Sequence, residues 1–213
     1  MNKEEINKTT GLKITAEEFL LLEKYSTLLG EWNEKINLVS RNKEIDFALS
    51  HLVPSLLYSR VLDFQNKNIL DLGTGGGLPG IPLAILNQSA SFVLLDSIQK
   101  KITAVNDIVA RLGLKNTTTL CSRAEAIESA YKNKKFNFVV ARGVSSLENL
   151  ISYALPITTD KEFLLTLKGG DLVNEKDEAL KKYSYIEFRE INLSDITENT
   201  FWPDKKFVIV KRK

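Results

Sequence analysis

Two kinds of hydrophobic periodicity divide the chain. Up to residue 66 the apolar positions follow the period of a helix. The apolar face of a first amphipathic helix consists of Phe19, Leu22, Tyr25 and Leu29. Thr15 and Glu18 have the spacing of a capping box, which predicts that this helix begins there. A second helix is predicted from Lys43 to Tyr58 with a kink near Pro54, whereas the polar residues 1–11 are expected to fray.

From residue 67 onward, short apolar runs alternate with helical segments. The runs predict seven strands, at residues 69–72, 91–96, 117–121, 136–141, 162–168, 185–192 and 207–210. Helices are predicted at residues 81–86, 100–112, 147–154 and 176–183, with a short helix after residue 125. Strands that alternate with helices form a parallel sheet covered on both faces. The last two strands have no predicted helix between them, so we expect an antiparallel hairpin at the edge of a mostly parallel α/β sheet.

The change of pattern also predicts the domain organisation. Residues 1–66 are expected to form an N-terminal helical extension, and residues 67–213 the sheet domain, in one compact unit. The single cysteine, Cys121, excludes a disulfide framework, and we expect it to be small and buried. The chain shows neither the regions of a signal peptide nor an apolar run long enough for a membrane span, so we expect a cytoplasmic protein without membrane contact. A net charge of +2 permits nucleic-acid binding, and the run 132–135 predicts a solvated loop.

The stretch Asp71-Leu-Gly-Thr-Gly-Gly-Gly-Leu-Pro-Gly80 joins a predicted buried strand to a predicted helix. Glycines at such a junction allow positive φ and let a ligand approach the bare backbone at the N-terminus of the helix. We therefore expect Gly73, Gly75 and Gly77 to bind a cofactor. The next strand ends at Asp96, where folds of this kind hold the hydroxyls of a ribose about 20 residues further on. Together these residues predict a site for a nucleoside-type cofactor.

The register of the glycines bears on which cofactor binds. Gly75-x-Gly77-x-x-Gly80 satisfies the dinucleotide fingerprint, so an NAD-dependent oxidoreductase is an alternative. Against it, the glycines already begin at Gly73, and Asp71 would bring a carboxylate close to a pyrophosphate, which it would repel. A sulfonium and an amino group would be attracted to the same carboxylate. S-adenosylmethionine is therefore the better fit.

Other candidate residues follow the remaining strands, because ligands of an open α/β sheet bind at the carboxyl ends of its strands. Glu125 is placed to accept the amino group of adenine, with backbone N–H groups near Ala124 beside the ring. Arg142 ends the fourth strand and is expected to reach both cofactor and substrate. Lys168 ends the fifth strand and Arg123 follows the third, so we expect both to cluster with Arg142 beside the methyl donor. These cations would act by positioning and electrostatics.

No residue pattern in the chain indicates a general base. The one histidine, His51, lies in the predicted N-terminal helices rather than at a strand end, so it comes last among the candidate catalytic residues. No cluster of cysteines and histidines has the spacing of a metal site. A guanine N7 carries a free lone pair and no proton to remove, so its methylation needs alignment and desolvation rather than a base.

These residues closely resemble one family, the bacterial small-subunit ribosomal RNA guanine-N7 methyltransferases, also called glucose-inhibited division protein B. The resemblance extends from Trp32 to Gly169, and its most specific marker is Leu-Pro-Gly-Ile-Pro after the glycine loop. The other shared motifs are Leu-Leu-Asp-Ser, Ser-Arg-Ala-Glu, Ala-Arg-Gly and Leu-Lys-Gly. The family usually shows Arg-His followed by Leu-Asp-Ser, whereas this chain has Ser50 and Pro54 in place of the arginine and the aspartate.

The resemblance implies a class I S-adenosylmethionine-dependent methyltransferase, with a Rossmann-like sheet and an N-terminal helical extension. The implied reaction transfers the methyl group to N7 of a guanine in 16S ribosomal RNA, on the RNA or on its ribonucleoprotein particle, by a protein expected to be a monomer. The implied cofactor contacts are Gly73, Leu78, Ala124, Glu125 and Arg142. The alternatives are the NAD-dependent oxidoreductase and a non-catalytic module that binds RNA or a nucleoside.

Overall fold

The computed structural model describes residues 1–39, 47–131, 136–198 and 201–213. The start of the helix predicted from Lys43, and the loop predicted at residues 132–135, lie outside the described residues.

A seven-stranded sheet forms the centre of the described structure. The strands are β1 (Asn68–Leu72), β2 (Ser91–Asp96), β3 (Thr117–Cys121), β4 (Phe138–Arg142), β5 (Glu162–Gly169), β6 (Ile186–Asn192) and β7 (Lys205–Arg212). They lie in the order β3-β2-β1-β4-β5-β7-β6. The first five strands are parallel, and β7 is antiparallel to both β5 and β6. The predicted mostly parallel α/β sheet is thus confirmed, and in the terminal hairpin β6 is the edge strand.

The described helices cover both faces of this sheet. They are α1 (Lys3–Thr10), α2 (Ala16–Asn33), α3 (Val53–Leu56), α4 (Gly80–Leu86), α5 (Gln99–Leu112), α6 (Ile127–Ala130), α7 (Leu147–Ala154) and α8 (Val173–Lys182). The kink predicted near Pro54 takes the form of a π-helical turn, Ala48–Leu52, directly before α3. Short 3₁₀ turns occupy Leu57–Arg60, Ala124–Ala126, Leu155–Ile157 and Leu193–Asp195.

The alternation of side chains along each strand divides the core into two layers. On one face, Ile69 of β1 and Phe92 of β2 pack with the N-terminal helices, α4 and α5. On the other face, Leu70 and Leu95 pack with α6, α7 and α8. Because the N-terminal residues share the first layer with the strands, the segment before β1 buries its apolar face on the sheet.

The expectation that residues 1–11 fray is wrong. Asn2 and Glu5 form a capping box at the start of α1, and Gly11 ends the helix in the left-handed conformation. Ile6 is buried in the first core layer. The caps were visible in the sequence, but one isoleucine among polar residues gave no periodicity.

The side chain of Tyr58 connects the N-terminal segment to the end of the sheet. Its hydroxyl donates to the carbonyl oxygen of Ala141 at 2.6 Å and accepts from the N–H of Leu167 at 3.1 Å. The ring meets Phe207 edge to face, with 4.7 Å between the centroids. One buried hydroxyl therefore satisfies polar groups of β4 and β5 close to Arg142.

Replacing Tyr58 by phenylalanine should destabilise the protein by about 1–3 kcal/mol, because it leaves a buried carbonyl and a buried N–H without this partner. Urea unfolding measures the change. The slope of the free energy of unfolding against urea concentration should be the same as in the parent protein. Tyr185, about half exposed on the entry to β6, provides the matched Tyr→Phe control and should have little effect. Equal stability of the two variants would contradict the bridging role.

Candidate functional site

A tight loop connects β1 to α4 at the carboxyl edge of the sheet. The N–H groups of Gly73 and Thr74 both donate to the carbonyl oxygen of Leu95 on β2, at 2.8 and 2.9 Å. Gly73 has φ of 72° and Gly75 of 58°, a left-handed conformation that residues with a Cβ rarely adopt. The loop thus presents bare backbone beside the ends of β1 and β2, as the glycine pattern predicts.

Asp71 holds this loop together from the inside. Its Oδ2 accepts from the hydroxyl of Thr74 at 2.6 Å and from the N–H of Gly80 at 2.9 Å. The side chain is fully buried, and burial raises the pKa of Asp71 to about 6, against the lowering effect of these hydrogen bonds. Within the described structure Oδ1 has no hydrogen-bond partner.

The prediction that the Asp71 carboxylate faces a ligand is wrong. The side chain points into the first core layer, where a Cβ added to Gly80 would lie 2.6 Å from Oδ2. The alternation along β1 explains this direction, because Asp71 follows Ile69 on the same face. Asp71 therefore shapes the loop, and its charge gives no reason for or against a pyrophosphate.

Asp96 lies where the glycine loop meets the end of β2. Its Oδ2 accepts from the N–H of Gly75 at 3.1 Å, and its Oδ1 accepts from the N–H of Ile98 at 2.9 Å. The ammonium of Lys101 lies 3.9 Å from Oδ2. A carboxylate has about four acceptor positions, so Asp96 retains capacity for the hydroxyls of a ligand.

A second carboxylate follows β3. Glu125 stands in the 3₁₀ turn Ala124–Ala126 and is exposed. A hydrogen bond from its own backbone N–H, and then one from the hydroxyl of Tyr153, lower the pKa of Glu125. The hydroxyl of Tyr153 on α7 donates to Oε1 at 3.0 Å. Sequence reasoning missed Tyr153, since only the folded sheet brings α7 beside the end of β3.

Arg142 ends β4 on the same face of the sheet as Asp71. Its Nη1 donates to the carbonyl oxygen of His51 at 3.1 Å, and its Nη2 lies 3.4 Å from His51 Nδ1. Burial, and then the charge of Arg142, lower the pKa of His51 to about 4. The expectation that His51 lies away from the strand ends is therefore wrong, because the π-helical turn carries it to the end of β4.

The structure does not bring the three predicted cations to one point. The Lys168 ammonium donates to the carbonyl oxygen of Ser145 at 2.7 Å and pairs with Glu175 of α8 at 2.8 Å. Leu167 is the partner of Arg142 in the parallel register, so Lys168 faces the opposite layer. Arg123 is exposed and lies close enough to Glu125 to lower the pKa of that carboxyl further.

The N-terminal segment packs against the outer side of the glycine loop. The hydroxyl of Tyr25 donates to the carbonyl oxygen of Gly76 at 2.9 Å. A Cβ added to Gly76 would lie 2.8 Å from a methyl of Leu29 and 3.3 Å from Cβ of Leu38. The Asn33 side chain in turn accepts from the N–H of Leu38 at 2.8 Å. The extension thus supports the loop directly.

Three further observations concern metal ligands, membrane-spanning helices and the single cysteine. Across residues 1–39, 47–131, 136–198 and 201–213, no three His, Cys, Asp or Glu side chains are grouped so that they could hold a metal ion. Within the same ranges no helix is both long and apolar enough to cross a bilayer. Cys121, expected to be buried, is exposed because β3 is an edge strand with one neighbour.

The pH dependence of stability tests the position of Asp71. Its pKa is raised from 3.8 to about 6, so the folded state binds more protons than the unfolded state between these values, and the stability it confers is lost as pH rises through 6. The side chain of Asp71→Asn cannot ionise. The stability of this variant relative to the parent chain should therefore rise from pH 4 to 6, by at most about 1.4 kcal/mol per pH unit.

Urea unfolding at several pH values measures this difference. His51, with its lowered pKa, acts with the opposite sign in the same interval, but it is present in both proteins and cancels from the difference. Parallel stability profiles for the two proteins would show that Asp71 titrates normally.

Comparison with solved structures identifies the fold. An O-methyltransferase from Bacillus cereus, solved in complex with SAH, matches with a TM-score of 0.64 over 90% of this chain and 91% of that one, at 15% identity. A ribosomal protein L11 methylase from Lactobacillus delbrueckii subsp. bulgaricus matches with a TM-score of 0.59 over 76% and 78% of the two chains, at 16% identity. At such identities the likeness shows the class I, Rossmann-like methyltransferase fold alone.

Comparison of sequences goes further. Curated proteins called ribosomal RNA small subunit methyltransferase G are similar over most of their length. The one from Chlorobium luteolum is 39% identical over 99% of this chain and 88% of its own. The one from Chlorobaculum tepidum is 43% identical over 80% and 77%. The model of the GidB family, described as rRNA small subunit methyltransferase G, matches residues 19–205, and the chain therefore belongs to that family.

Proposed function

We propose that this protein transfers a methyl group from S-adenosylmethionine to N7 of a guanine in 16S ribosomal RNA. The observation that carries the proposal is membership of the rRNA small subunit methyltransferase G family over residues 19–205. That range contains the glycine loop, Asp96, Glu125 and Arg142. The positions of these residues determine how the chain could bind the cofactor and the guanine.

The groups around the glycine loop fit an adenosine with a cationic tail. Asp96 is suited to accept the ribose hydroxyls, and Glu125, with the N–H of Ala124, to bind the adenine. The loop Gly73, Gly75, Gly77 and Leu78 offers bare backbone to the rest of the molecule. Bound there, S-adenosylmethionine supplies a methyl group activated by a sulfonium.

Asp96 alone does not select between the two cofactors, because folds that bind a dinucleotide also hold a ribose hydroxyl with an acidic residue at this position. Its Oδ2 accepts from the N–H of Gly75 and so fixes the loop beside that ribose position. Membership of the rRNA small subunit methyltransferase G family is what favours S-adenosylmethionine over a dinucleotide.

Attack by guanine N7 places few demands on acid–base chemistry. The N7 lone pair would form the new bond to the methyl carbon as the bond from that carbon to the sulfonium breaks. No proton has to leave first; the positive charge passes to the guanine, and neutral S-adenosylhomocysteine is the leaving group. His51, with its pKa lowered to about 4, is a poor base, which agrees with a reaction that needs none. The site contributes alignment and exclusion of water.

Arg142 is the residue best placed to orient the guanine. A guanidinium has five N–H donors, and Nη1 and Nη2 direct only part of them to His51. The remaining donors can hold guanine O6 or a phosphate and leave N7 free to react. Lys168 acts indirectly, because it fixes the loop after β4 by donating to the carbonyl oxygen of Ser145. The exposed Arg123 can contact an RNA phosphate.

The form of the substrate belongs to the same proposal. A net charge of +2 supplies little general attraction to RNA, so we expect a few charges near the site, together with the shape of the particle, to select the substrate. The enzyme is proposed to act as a monomer in the cytoplasm. Methylation of small-subunit particles and of deproteinised RNA, measured side by side, identifies the preferred form.

Replacing Glu125 by alanine should weaken binding of S-adenosylhomocysteine by about tenfold, because it removes a charged hydrogen-bond acceptor for the adenine. Isothermal titration calorimetry measures the affinity. Glu128→Ala is the matched control, since Glu128 is also exposed and lies three positions further on in α6. Equal affinities of the two folded variants would show that the adenine does not bind at Glu125.

Arg142→Ala should lower the single-turnover rate of methylation by at least about tenfold even at saturating RNA, because it removes the donors that orient the guanine. Arg189, an exposed arginine on the edge strand β6, provides the control substitution to alanine and should leave the rate unchanged. Normal turnover by the folded Arg142 variant would remove its assigned role. Methylation of neither RNA form by the parent protein would refute the proposed function.

A further inference from the structure

The surroundings of His51 assign it a task that differs from proton transfer. It lies in the π-helical turn Ala48–Leu52, whose end is closed by the N–H of Val53 donating to the carbonyl oxygen of Ala48. Turns of this kind are rare and occur often at functional sites. The ring lies against Phe47 at a tilt of 60°, with 5.5 Å between the centroids. The side chain is thus held against the helix and partly withdrawn from solvent.

Two atoms of His51 face the same guanidinium. The carbonyl oxygen accepts from Arg142 Nη1 at 3.1 Å, and Nδ1 lies 3.4 Å from Nη2. The hydroxyl of Ser55 donates to the same carbonyl oxygen at 2.8 Å, which fixes its direction. A guanidinium held by two acceptors of one residue has a defined plane.

The pairing also determines the tautomer of the imidazole. An arginine side chain only donates hydrogen bonds, so Nδ1 can face Nη2 only as an acceptor without a proton. The ring proton of the neutral imidazole must then lie on Nε2. The lowered pKa agrees, because a proton on Nδ1 would point at a positive charge.

Arg142 needs such a holder. Its guanidinium is partly buried at the end of β4, and burial lowers the pKa of Arg142 because the charged form loses hydration. Among the described residues no carboxylate forms an ion pair with it, although Asp71 and two tyrosines act on it at longer range. The acceptors of His51 are therefore its direct contacts.

We propose that His51 is a positioning residue that acts through Arg142: its carbonyl oxygen and Nδ1 fix the guanidinium plane so that the remaining N–H donors face the substrate. This inference rests on the proposed function for the identity of that substrate. It predicts that an acceptor at the Nδ1 position is what the reaction needs from this side chain. A polar group at the Nε2 position is not required.

Amide side chains separate the two ring nitrogens. The Oδ1 of an asparagine lies close to the position of Nδ1, whereas the amide of a glutamine reaches the position of Nε2. We therefore compare His51→Asn, His51→Gln and His51→Leu in single-turnover methylation of small-subunit particles at saturating RNA and S-adenosylmethionine. The rate of the Asn variant should stay within about threefold of the parent, while the Gln and Leu variants should lose about tenfold or more. Thermal unfolding checks that all three are folded.

The other outcomes overturn the proposal. If His51→Gln kept the rate of the parent and His51→Asn did not, Nε2 would be the atom that acts on the substrate. Equal rates for all three variants and the parent would show that the side chain contributes nothing. Loss in all three folded variants would mean that the ring itself is required.

A measurement on the parent protein does not depend on activity at all. Because the chain has a single histidine, its ¹⁵N signals can be assigned without ambiguity. At pH 7 they should show a neutral ring with the proton on Nε2, and Arg142→Ala should shift this pattern. A proton on Nδ1, or a pattern unaffected by Arg142→Ala, would overturn the positioning role. A parent protein that shows the expected tautomer but methylates no RNA would refute only the proposed function.

Discussion

The hydrogen bonds of the buried Asp71 carboxyl are the constraint on which the rest of the site depends. One oxygen holds both the hydroxyl of Thr74 and the N–H of Gly80, so the two ends of the glycine loop are fixed to the strand that precedes them. The loop then places the N–H of Gly75 against Asp96. The buried Asp71 thereby positions Asp96, the carboxylate that we propose accepts the ribose hydroxyls. Burial raises the pKa of Asp71, because the ionised carboxyl group loses hydration at the centre of the fold.

The sequence was sufficient for the sheet because its signals are local. Short apolar runs between helical segments predicted the strands, and glycines after β1 predicted the turn. Where side chains point was predictable only once the register was known. Arg142 and Lys168 were both predicted to end strands, yet they face opposite layers, because the partner of Arg142 in the register is Leu167 and not Lys168. The prediction that Asp71 faces a ligand was wrong for the same reason, since its side chain lies on the same face of β1 as Ile69 and points into the core.

Contacts between distant segments were beyond sequence reasoning altogether. His51 reaches Arg142 across 91 positions, and Tyr153 reaches Glu125 only because α7 packs beside the turn after β3. Each of these side chains had an ordinary explanation as a helix residue. The family resemblance named Glu125 and Arg142 as cofactor contacts, and its Arg-His motif contained His51 without indicating that His51 contacts Arg142. Tyr153 was in none of the shared motifs.

The bridge made by Tyr58 has a consequence for synthesis on the ribosome. Its hydroxyl joins residues of β4 and β5, and the tyrosine and Leu167 are 109 positions apart. The apolar face of the N-terminal helices therefore leaves the exit tunnel long before β4, β5 and β7, which complete its cover, have been made. Even then β7 must enter between β5 and β6, after both have been made. A stalled or truncated nascent chain would expose this face and an unpaired β5 edge to other chains, and it would depend on chaperones until the last strand arrived.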